Sequence, residues 1–443
     1  MRIHLISPTH YLPDGRLHKT TRYWTSGTTL PYLKALTPPP HEVSFTDELM
    51  HELDVDRVER DADVVGLTAM GPQIRRAYEL ADHFRARGKH VVLGGTWVTL
   101  TPEESLRHAD AVVAGEAEDV WPRVLADLEA GRSGGVYRAR RWHDLRDLPE
   151  IDHWTLPLLK PDAFRSSWLY RIYFFWPIFF SRGCPHPCEY CAVQTYYQRT
   201  FRTRPVDAFI AEVQRMTAFG ARRFLFMDDN PFANPEAAKE MLRALIPLRV
   251  QWVSQATINV ARDPELLDLV ARSGARVLSI GFESLSEESL ASVSKQFNRP
   301  SRFSEDIAKL RALRRHEIVG MQIEPWGPKR GSHVVHFCGR PTRFQLGPFA
   351  VARVARAPIV PVFAVRTGIR RYELRVAARF DPRTPADCVA ALVATVRLYE
   401  RVVRERPAQW LMFEDVWSEA DAAVDDGAGD YEIVPQASGL RRR

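Results

Sequence analysis

The side chains best suited to chemistry in this chain are three cysteines within eight residues, Cys184-Pro-His-Pro-Cys188-Glu-Tyr-Cys191. Thiolates are soft ligands that hold zinc or iron–sulfur clusters. A closed structural zinc site takes four protein ligands. Only three thiols are close here; Cys338 and Cys388 are distant and solitary. His186 is a further donor inside the loop, but Pro185 and Pro187 restrict it. An iron–sulfur cluster with one iron left open fits the spacing better.

Such a loop needs rigid elements to carry it. The chain has 443 residues, and at about 150 residues per domain that allows roughly three domains. Apolar residues make up 45% and charged residues 26%, which excludes disordered and collagen-like classes. No secretory signal is legible at the N-terminus. The greasiest stretch, 168–180, contains Arg171 and Pro177 and is too short to span a bilayer. Five cysteines, three of them clustered, argue against a disulfide framework and for a reducing, cytoplasmic setting.

Short apolar runs alternate with amphipathic stretches. In the first block, 1–135, strands are expected at 3–7, 64–68, 90–94 and 111–114, and helices at 73–87, 103–108 and 119–129. That alternation implies a doubly wound parallel sheet, whose ligands sit at the carboxyl ends of its strands. Small-residue turns lie there: Thr68-Ala-Met-Gly71, Gly94-Gly95-Thr96 and Gly115-Glu116. They read equally as plain tight turns. A linker, 136–177, follows. A second alternating block, 178–311, has strands expected at 178–181, 223–227, 252–256 and 277–281, with proline-started helices at 205–219, 235–245 and 264–273. These are four βα units of a parallel barrel or partial barrel.

The cysteine loop, with Tyr190 before its last cysteine, resembles the radical S-adenosylmethionine (radical SAM) superfamily. The resemblance implies a 4Fe-4S cluster on Cys184, Cys188 and Cys191, whose open iron chelates S-adenosyl-L-methionine (SAM). One electron then releases a 5′-deoxyadenosyl radical. It further implies SAM contacts from Tyr190, from Asp228, Asp229 and Asn230 in Phe226-Met-Asp-Asp-Asn-Pro231, from Ser254 and Gln255, and from Glu283 in Ile280-Gly-Phe-Glu-Ser284. Asp-Asp-Asn-Pro also reads as a helix N-cap. A reductant such as a flavodoxin or ferredoxin is expected.

The first block resembles the cobalamin-binding subclass, through Val65-Gly-Leu-Thr-Ala69, Val92-Leu-Gly-Gly-Thr96 and Ala114-Gly-Glu-Ala-Glu118. Thr68, Gly94, Gly95, Thr96, Gly115 and Glu116 would then face cobalamin. The Asp-x-His-x-x-Gly string that supplies a lower axial histidine is absent. Cobalamin therefore either binds without a protein histidine or does not bind.

Charge changes with the C-terminal block. Residues 311–417 carry 19 basic and 9 acidic side chains, against 39 and 40 in 1–310 and 3 and 6 in 418–443. The fifth and sixth barrel units are not legible. Instead, Phe337-Cys-Gly-Arg-Pro341, Gly347-Pro-Phe-Ala-Val-Ala-Arg353, Ala357-Pro-Ile-Val-Pro-Val-Phe363 and Arg406-Pro-Ala-Gln-Trp-Leu-Met-Phe413 resemble the C-terminal half of lipid A biosynthesis lysophospholipid acyltransferases. That family uses a His-x4-Asp/Glu pair. Of 14 histidines only His51…Asp56 has the spacing, by chance in our reading, so no catalytic acyltransferase pair is expected.

The expected fold is thus α/β: a cobalamin-binding-like doubly wound sheet, a partial radical SAM barrel, a truncated acyltransferase-like segment at 317–417 and a disordered tail at 418–443. The expected function is radical modification, methylation included, of a lipid or natural product. The alternative is a catalytically impaired fusion joined near 311–317; an acyltransferase is a third reading. The basic block suits peripheral contact with anionic lipid on the inner membrane face. No recognised nucleic-acid motif accompanies the Arg-rich stretches, and no nucleic-acid partner is expected.

Overall fold

The computed structural model describes residues 1–12, 14–20, 25–132, 134–152, 174–283, 287–312, 332–354, 356–368, 371–376 and 378–406. They form two compact units, Met1–Gly281 and Phe282–Arg443. The tail 418–443, the fusion joint expected near 311–317 from residue 313 on, and the start of the aromatic stretch 168–180 lie outside the described residues.

The first unit begins with β1 (Arg2–Ser7), α1 (Thr29–Leu36), β2 (Glu42–Asp47), α2 (Val55–Asp61), β3 (Val64–Thr68), α3 (Ile74–Arg85), β4 (His90–Gly94), α4 (Thr96–Leu100), α5 (Pro102–Ser105), β5 (Ala111–Val113), α6 (Trp121–Glu129) and β6 (Val136–Tyr137). The strands form one sheet in the order β2-β1-β3-β4-β5-β6, with every pairing parallel. Strands β3, β4 and β5 are apolar on both faces, as a sheet covered on both sides demands.

The helices supply the two covers. Ala77, Leu80, Ala81 and Phe84 repeat at helical spacing along α3 and are buried with Val65, Leu67 and Leu93. Trp121, Val124, Leu125 and Leu128 on α6 are buried on the other side with Leu30 of α1, Ile3 and Leu5. The strand order reverses between β1 and β3, which puts the ligand crevice at their carboxyl ends.

Elements α1, β2 and α2 were not expected. Strand β2 is a polar edge strand without a continuous apolar run. The charged helix α2 is held by its cap, the Asp54 carboxylate accepting from Arg57 N at 2.9 Å.

A second parallel sheet follows in the same unit. Its strands are β7 (Trp176–Ile178), β10 (Arg223–Phe226), β11 (Gln251–Ala256) and β12 (Ala275–Ile280), in the order β12-β11-β10-β7. Between β7 and β10 lie β8 (Ser181–Gly183), α7 (Ala192–Tyr197), β9 (Phe201–Thr203) and α8 (Val206–Ala218); α9 (Pro235–Leu245) and α10 (Pro264–Arg272) follow β10 and β11. Phe209, Phe226 and Trp252 form the aromatic core, with Phe226 stacked on Trp252 at 4.9 Å.

The single strand expected at 178–181 is two. Strand β7 ends at Ile178, and β8 leaves the sheet to pair antiparallel with β9. The reason is local: Phe180 N and Ser181 N turn toward the buried Asp228 carboxylate instead of continuing the ladder.

In the second unit, α11 (Glu287–Ser292) and α12 (Phe303–Ala312) precede two antiparallel hairpins. These are β13 (Ser332–Phe337) with β14 (Arg340–Gln345), and β15 (Val362–Gly368) with β16 (Arg371–Val376). Helices α13 (Gly347–Val354) and α14 (Pro385–Glu405) complete it. Its core is Phe337, Phe344, Phe349, Cys388, Leu392 and Val396. A Thr384/Asp387 capping box starts α14. Among the described residues no helix is long and apolar enough to cross a membrane.

His4 on β1 offers a check on the first sheet. Its ring nitrogens meet Ser44 Oγ at 2.8 Å and Thr46 Oγ1 at 3.1 Å. Burial, aided by the Arg57 charge, pushes its pKa down to about 4. The unfolded chain therefore binds this proton between about pH 6.5 and 4 and the folded chain does not, so acidification through that window costs stability. Urea midpoints should fall less steeply from pH 7 to 4.5 in His4→Gln than in the wild type; equal slopes would exonerate the imidazole.

Candidate functional site

Strand β8 runs straight into Cys184, and the loop closes at Cys191, the N-cap of α7. Cys191 N donates to Cys188 O at 3.1 Å and Gln194 Nε2 to the same oxygen at 2.6 Å, tightening the loop's second half. None of the three cysteines is in a disulfide; Cys188 is buried, Cys184 and Cys191 half-buried. Burial pushes the Cys184 thiol up, against hydrogen bonds from the His186 backbone and Asn230. Among the described residues no three His, Cys, Asp or Glu side chains are grouped as a single metal ion would need. A cluster takes one thiolate on each of three irons, and the loop supplies that number of thiols.

The end of β10 holds this loop. Asp228 is buried and accepts from Phe180 N, from Ser181 N and from Ser181 Oγ at 2.5 Å. Burial pushes its pKa up to about 6 despite these donors. Asp229 accepts from Gly183 N at 3.2 Å. Asn230 places Nδ2 4.0 Å from Cys184 Sγ, and its buried Oδ1 has no hydrogen-bond partner among the described residues. A buried orphan acceptor beside the first cysteine is a natural seat for an ammonium donor. The structure therefore brings Asp228, Asp229 and Asn230 to the cysteine loop, but Asp228 directs its oxygens at residues 180 and 181, ahead of the loop.

The other expected residues are less engaged. Ser254 is buried and donates to Gln255 O at 3.0 Å, while Gln255 is exposed at the end of β11. Tyr190 is 54% exposed. Glu283 falls in the second unit, in left-handed backbone, with Lys295 Nζ 2.7 Å from its carboxylate.

The expected turns of the first sheet share its carboxyl edge. Gly95 has φ +103°, and a Cβ there would lie 2.7 Å from Ala69 N and O and 2.9 Å from Thr68 Oγ1. Only glycine lets the ends of β3 and β4 approach so closely. Thr96 opens α4, and Gly115 N donates to Thr99 Oγ1 at 3.0 Å. Met70, Trp97 and Leu100 are exposed near this edge, an apolar surface flanking the glycine turns.

Glu116 does something the sequence did not reveal. Its two oxygens accept from Arg182 and Arg202 of the β8–β9 hairpin, and Arg182 also meets Glu118 at 2.6 Å. Burial opposes the charge on Glu116, but the two guanidiniums hold its pKa below the usual carboxylate range. His51 and Asp56 lie in the turn after β2 and in α2, with no hydrogen bond between them among the described residues.

Residues 178–326 match the radical SAM superfamily model, residues 33–125 the B12 binding domain, and residues 304–419 the bacterial lipid A biosynthesis acyltransferase. A B12-binding domain is thus followed by a radical SAM domain. Among curated relatives, bacteriochlorophyllide d C-12(1)-methyltransferase of Chlorobaculum tepidum is 31% identical over 284 residues, covering 63% of this chain and 59% of that protein. Hopanoid C-2 methylase of Rhodopseudomonas palustris is 26% identical, covering 60% and 50%. The chain spans about half to three fifths of the length of these relatives.

Two solved structures share the fold. The radical SAM methyltransferase TsrM from Kitasatospora setae has a TM-score of 0.55 at 17% identity, covering 70% of this chain and 65% of that one. The cobalamin-dependent radical enzyme OxsB has a TM-score of 0.56 at 13% identity, covering 70% and 48%. The α/β architecture with its parallel sheets is therefore that of cobalamin radical SAM enzymes.

Gly183 tests the loop's support. Its φ is +84°, and a Cβ there would lie 2.2 Å from Thr200 O, across the hairpin. Gly183→Ala should lower stability by about 1–3 kcal/mol through left-handed strain and displacement of β9. Gly135→Ala, with nothing within 4 Å of its Cβ, is the control. Equal thermal midpoints for the two variants would show the hairpin base to be loosely held.

Proposed function

We propose that the first unit is a radical SAM enzyme core that holds a 4Fe-4S cluster on Cys184, Cys188 and Cys191, with SAM at the carboxyl ends of β10 and β11. The first sheet runs through β6 and the second begins at β7, so the cobalamin-binding domain is 1–137 rather than 1–135 and the linker 138–175 rather than 136–177; of the radical SAM core to 311, residues 282–311 fall in the second unit, and 317–417 is the acyltransferase-like segment. The observation that carries the reading is the cysteine loop's mounting. Its entry strand is fixed by backbone hydrogen bonds to Asp228 and Asp229, and Asn230 sets an unsatisfied acceptor beside Cys184.

A cluster held by Cys184, Cys188 and Cys191 would supply the electron for reductive cleavage of SAM at its sulfonium. The chain's own residues do the positioning. The carboxylate of Asp229 and the free Oδ1 of Asn230 are acceptors for the SAM ammonium. Tyr190, half-exposed in the loop, offers an aromatic face to the adenine. Thr68, Gly94, Gly95, Thr96 and Gly115 would hold a corrinoid at the carboxyl edge of the first sheet, where Met70, Trp97 and Leu100 are exposed.

The substrate is a small molecule of lipid or natural-product character and the reaction a methylation or related radical alteration of an unactivated carbon. The methyltransferase names of the relatives support this. A flavodoxin or ferredoxin would supply the electron. The fusion alternative lacks a comparable observation, since the cysteine loop and its anchors are intact.

Anaerobic reconstitution with iron and sulfide, then reductant and SAM, should yield 5′-deoxyadenosine, and Cys184→Ala should abolish it. A formed cluster without cleavage would favour the impaired fusion. Cleavage surviving in Cys184→Ala would refute the ligand assignment.

The second unit supports a peripheral role at anionic lipid. Helix α14 exposes Arg397, Arg401 and Arg404 at i, i+4 and i+7, within the segment matched by the acyltransferase model. Arg404 is paired with Glu400, leaving Arg397 and Arg401 as the phosphate-facing choice. Flotation with phosphatidylglycerol vesicles should carry the full chain at low salt and fall several-fold in Arg397→Ala/Arg401→Ala; equal flotation with phosphatidylcholine would refute an electrostatic contact.

A further inference from the structure

We propose that Glu116 and Glu118 are positioning residues: through Arg182 and Arg202 they fix the cysteine loop against the carboxyl edge of the first sheet. The proposal rests on the reading above, in which one cofactor sits at each place.

The hairpin geometry is the starting point. Arg182 on β8 and Arg202 on β9 are direct register partners, and the three cysteines fall in the chain between them. Two like charges directly opposite on an antiparallel pair repel. Here they share one counter-charge. Glu116 Oε1 accepts from Arg182 Nη1 at 3.0 Å and from Arg202 Nη2 at 2.7 Å, and Glu116 Oε2 accepts from Arg202 Nη1 at 3.0 Å. Glu118 Oε1 accepts from Arg182 Nη1 at 2.6 Å and from the Tyr32 hydroxyl at 2.5 Å. Two carboxylates and two guanidiniums close a neutral set.

The set is buried. The side chains of Glu116 and Glu118 are 6% and 2% exposed, those of Arg182 and Arg202 14% and 18%. Aromatic rings wall it: Arg182 lies over Phe179 at 4.8 Å and Arg202 over Trp142 at 5.2 Å. Arg202 Nη1 also donates to His143 O at 2.7 Å. Planar guanidinium forks fix direction as well as distance, which ammonium groups would not.

Both carboxylates sit in the turn after β5, on the edge where a doubly wound sheet takes its ligand. Both arginines flank the cluster loop. Strand β8 is therefore gripped twice: its backbone by Asp228 and Asp229 from the second sheet, its Arg182 side chain from the first. Chemistry shared between two bound groups depends steeply on their separation, and misplacement by about 1 Å can cost on the order of a hundredfold in rate.

The test uses the full chain as Glu116→Gln, Glu118→Gln and the double variant. Without cofactors, amide hydrogen exchange over residues 181–203 should quicken at least about tenfold in the double variant, because a buried guanidinium is left without its counter-charge. Amides of β11 should be unchanged. With cluster and cobalamin loaded to wild-type content, the pulsed electron paramagnetic resonance distance between cob(II)alamin and the reduced cluster should be narrow in the wild type and broadened in the double variant. Unchanged exchange overturns the proposal. Faster exchange with an unchanged distance also overturns it, showing a structural tie only. If the wild type takes up no iron or no cobalamin, the enzyme reading fails and exchange alone decides the clamp. Should the double variant not fold, Glu118→Gln, which keeps the Glu116 fork, is read by the same two measurements.

Discussion

One buried carboxylate sets the geometry on which the candidate site depends. Asp228 follows β10, yet its oxygens receive the backbone of residues 180 and 181 and the Ser181 hydroxyl. The two backbone donors are the ones a continuing β7 strand would have given to a neighbouring strand. By capturing them Asp228 ends the parallel strand and turns the chain into the β8–β9 hairpin that carries the cysteines. Desolvation acts against the charge, raising its pKa to about 6, and the donors offset that cost. A neutral residue of similar size could fill the space without drawing two successive amides into one turn.

Much of the fold was legible because burial leaves a plain mark on sequence. Strands such as His90–Gly94 are apolar on both faces, and helices such as Pro235–Leu245 combine a proline start with an apolar face. Elements whose stability comes from elsewhere were not legible. The edge strand β2 and the charged helix α2 lack an apolar period and are held by pairing and by the Asp54 cap. The short β8–β9 pairing depends on Asp228, 45 residues or more away along the chain, and no local pattern reports it.

The site divides in the same way. Three cysteines in eight residues announce themselves by type and spacing. Glu116 did not, because its side chain could serve a ligand or a distant arginine equally well from the same turn. The structure gives both its oxygens to Arg182 and Arg202. The charge excess of residues 311–417 has a different basis. The second unit buries its phenylalanines and small residues inward, and arginines remain on the outer face of α14.

Why buried ions should join the two sheets, when apolar contact would be stronger per unit area, follows from what each interaction specifies. Apolar packing is non-directional and tolerates sliding. A buried ion pair gains little net stability, because desolvation consumes most of the attraction. A forked pair is satisfied in one arrangement, and leaving it costs more than forming it gained. Arg202 meets Glu116 through two nitrogens and two oxygens, and Arg182 closes the set through Glu118. The join between the sheets therefore buys register rather than strength, which is what a site assembled from the edges of two sheets requires.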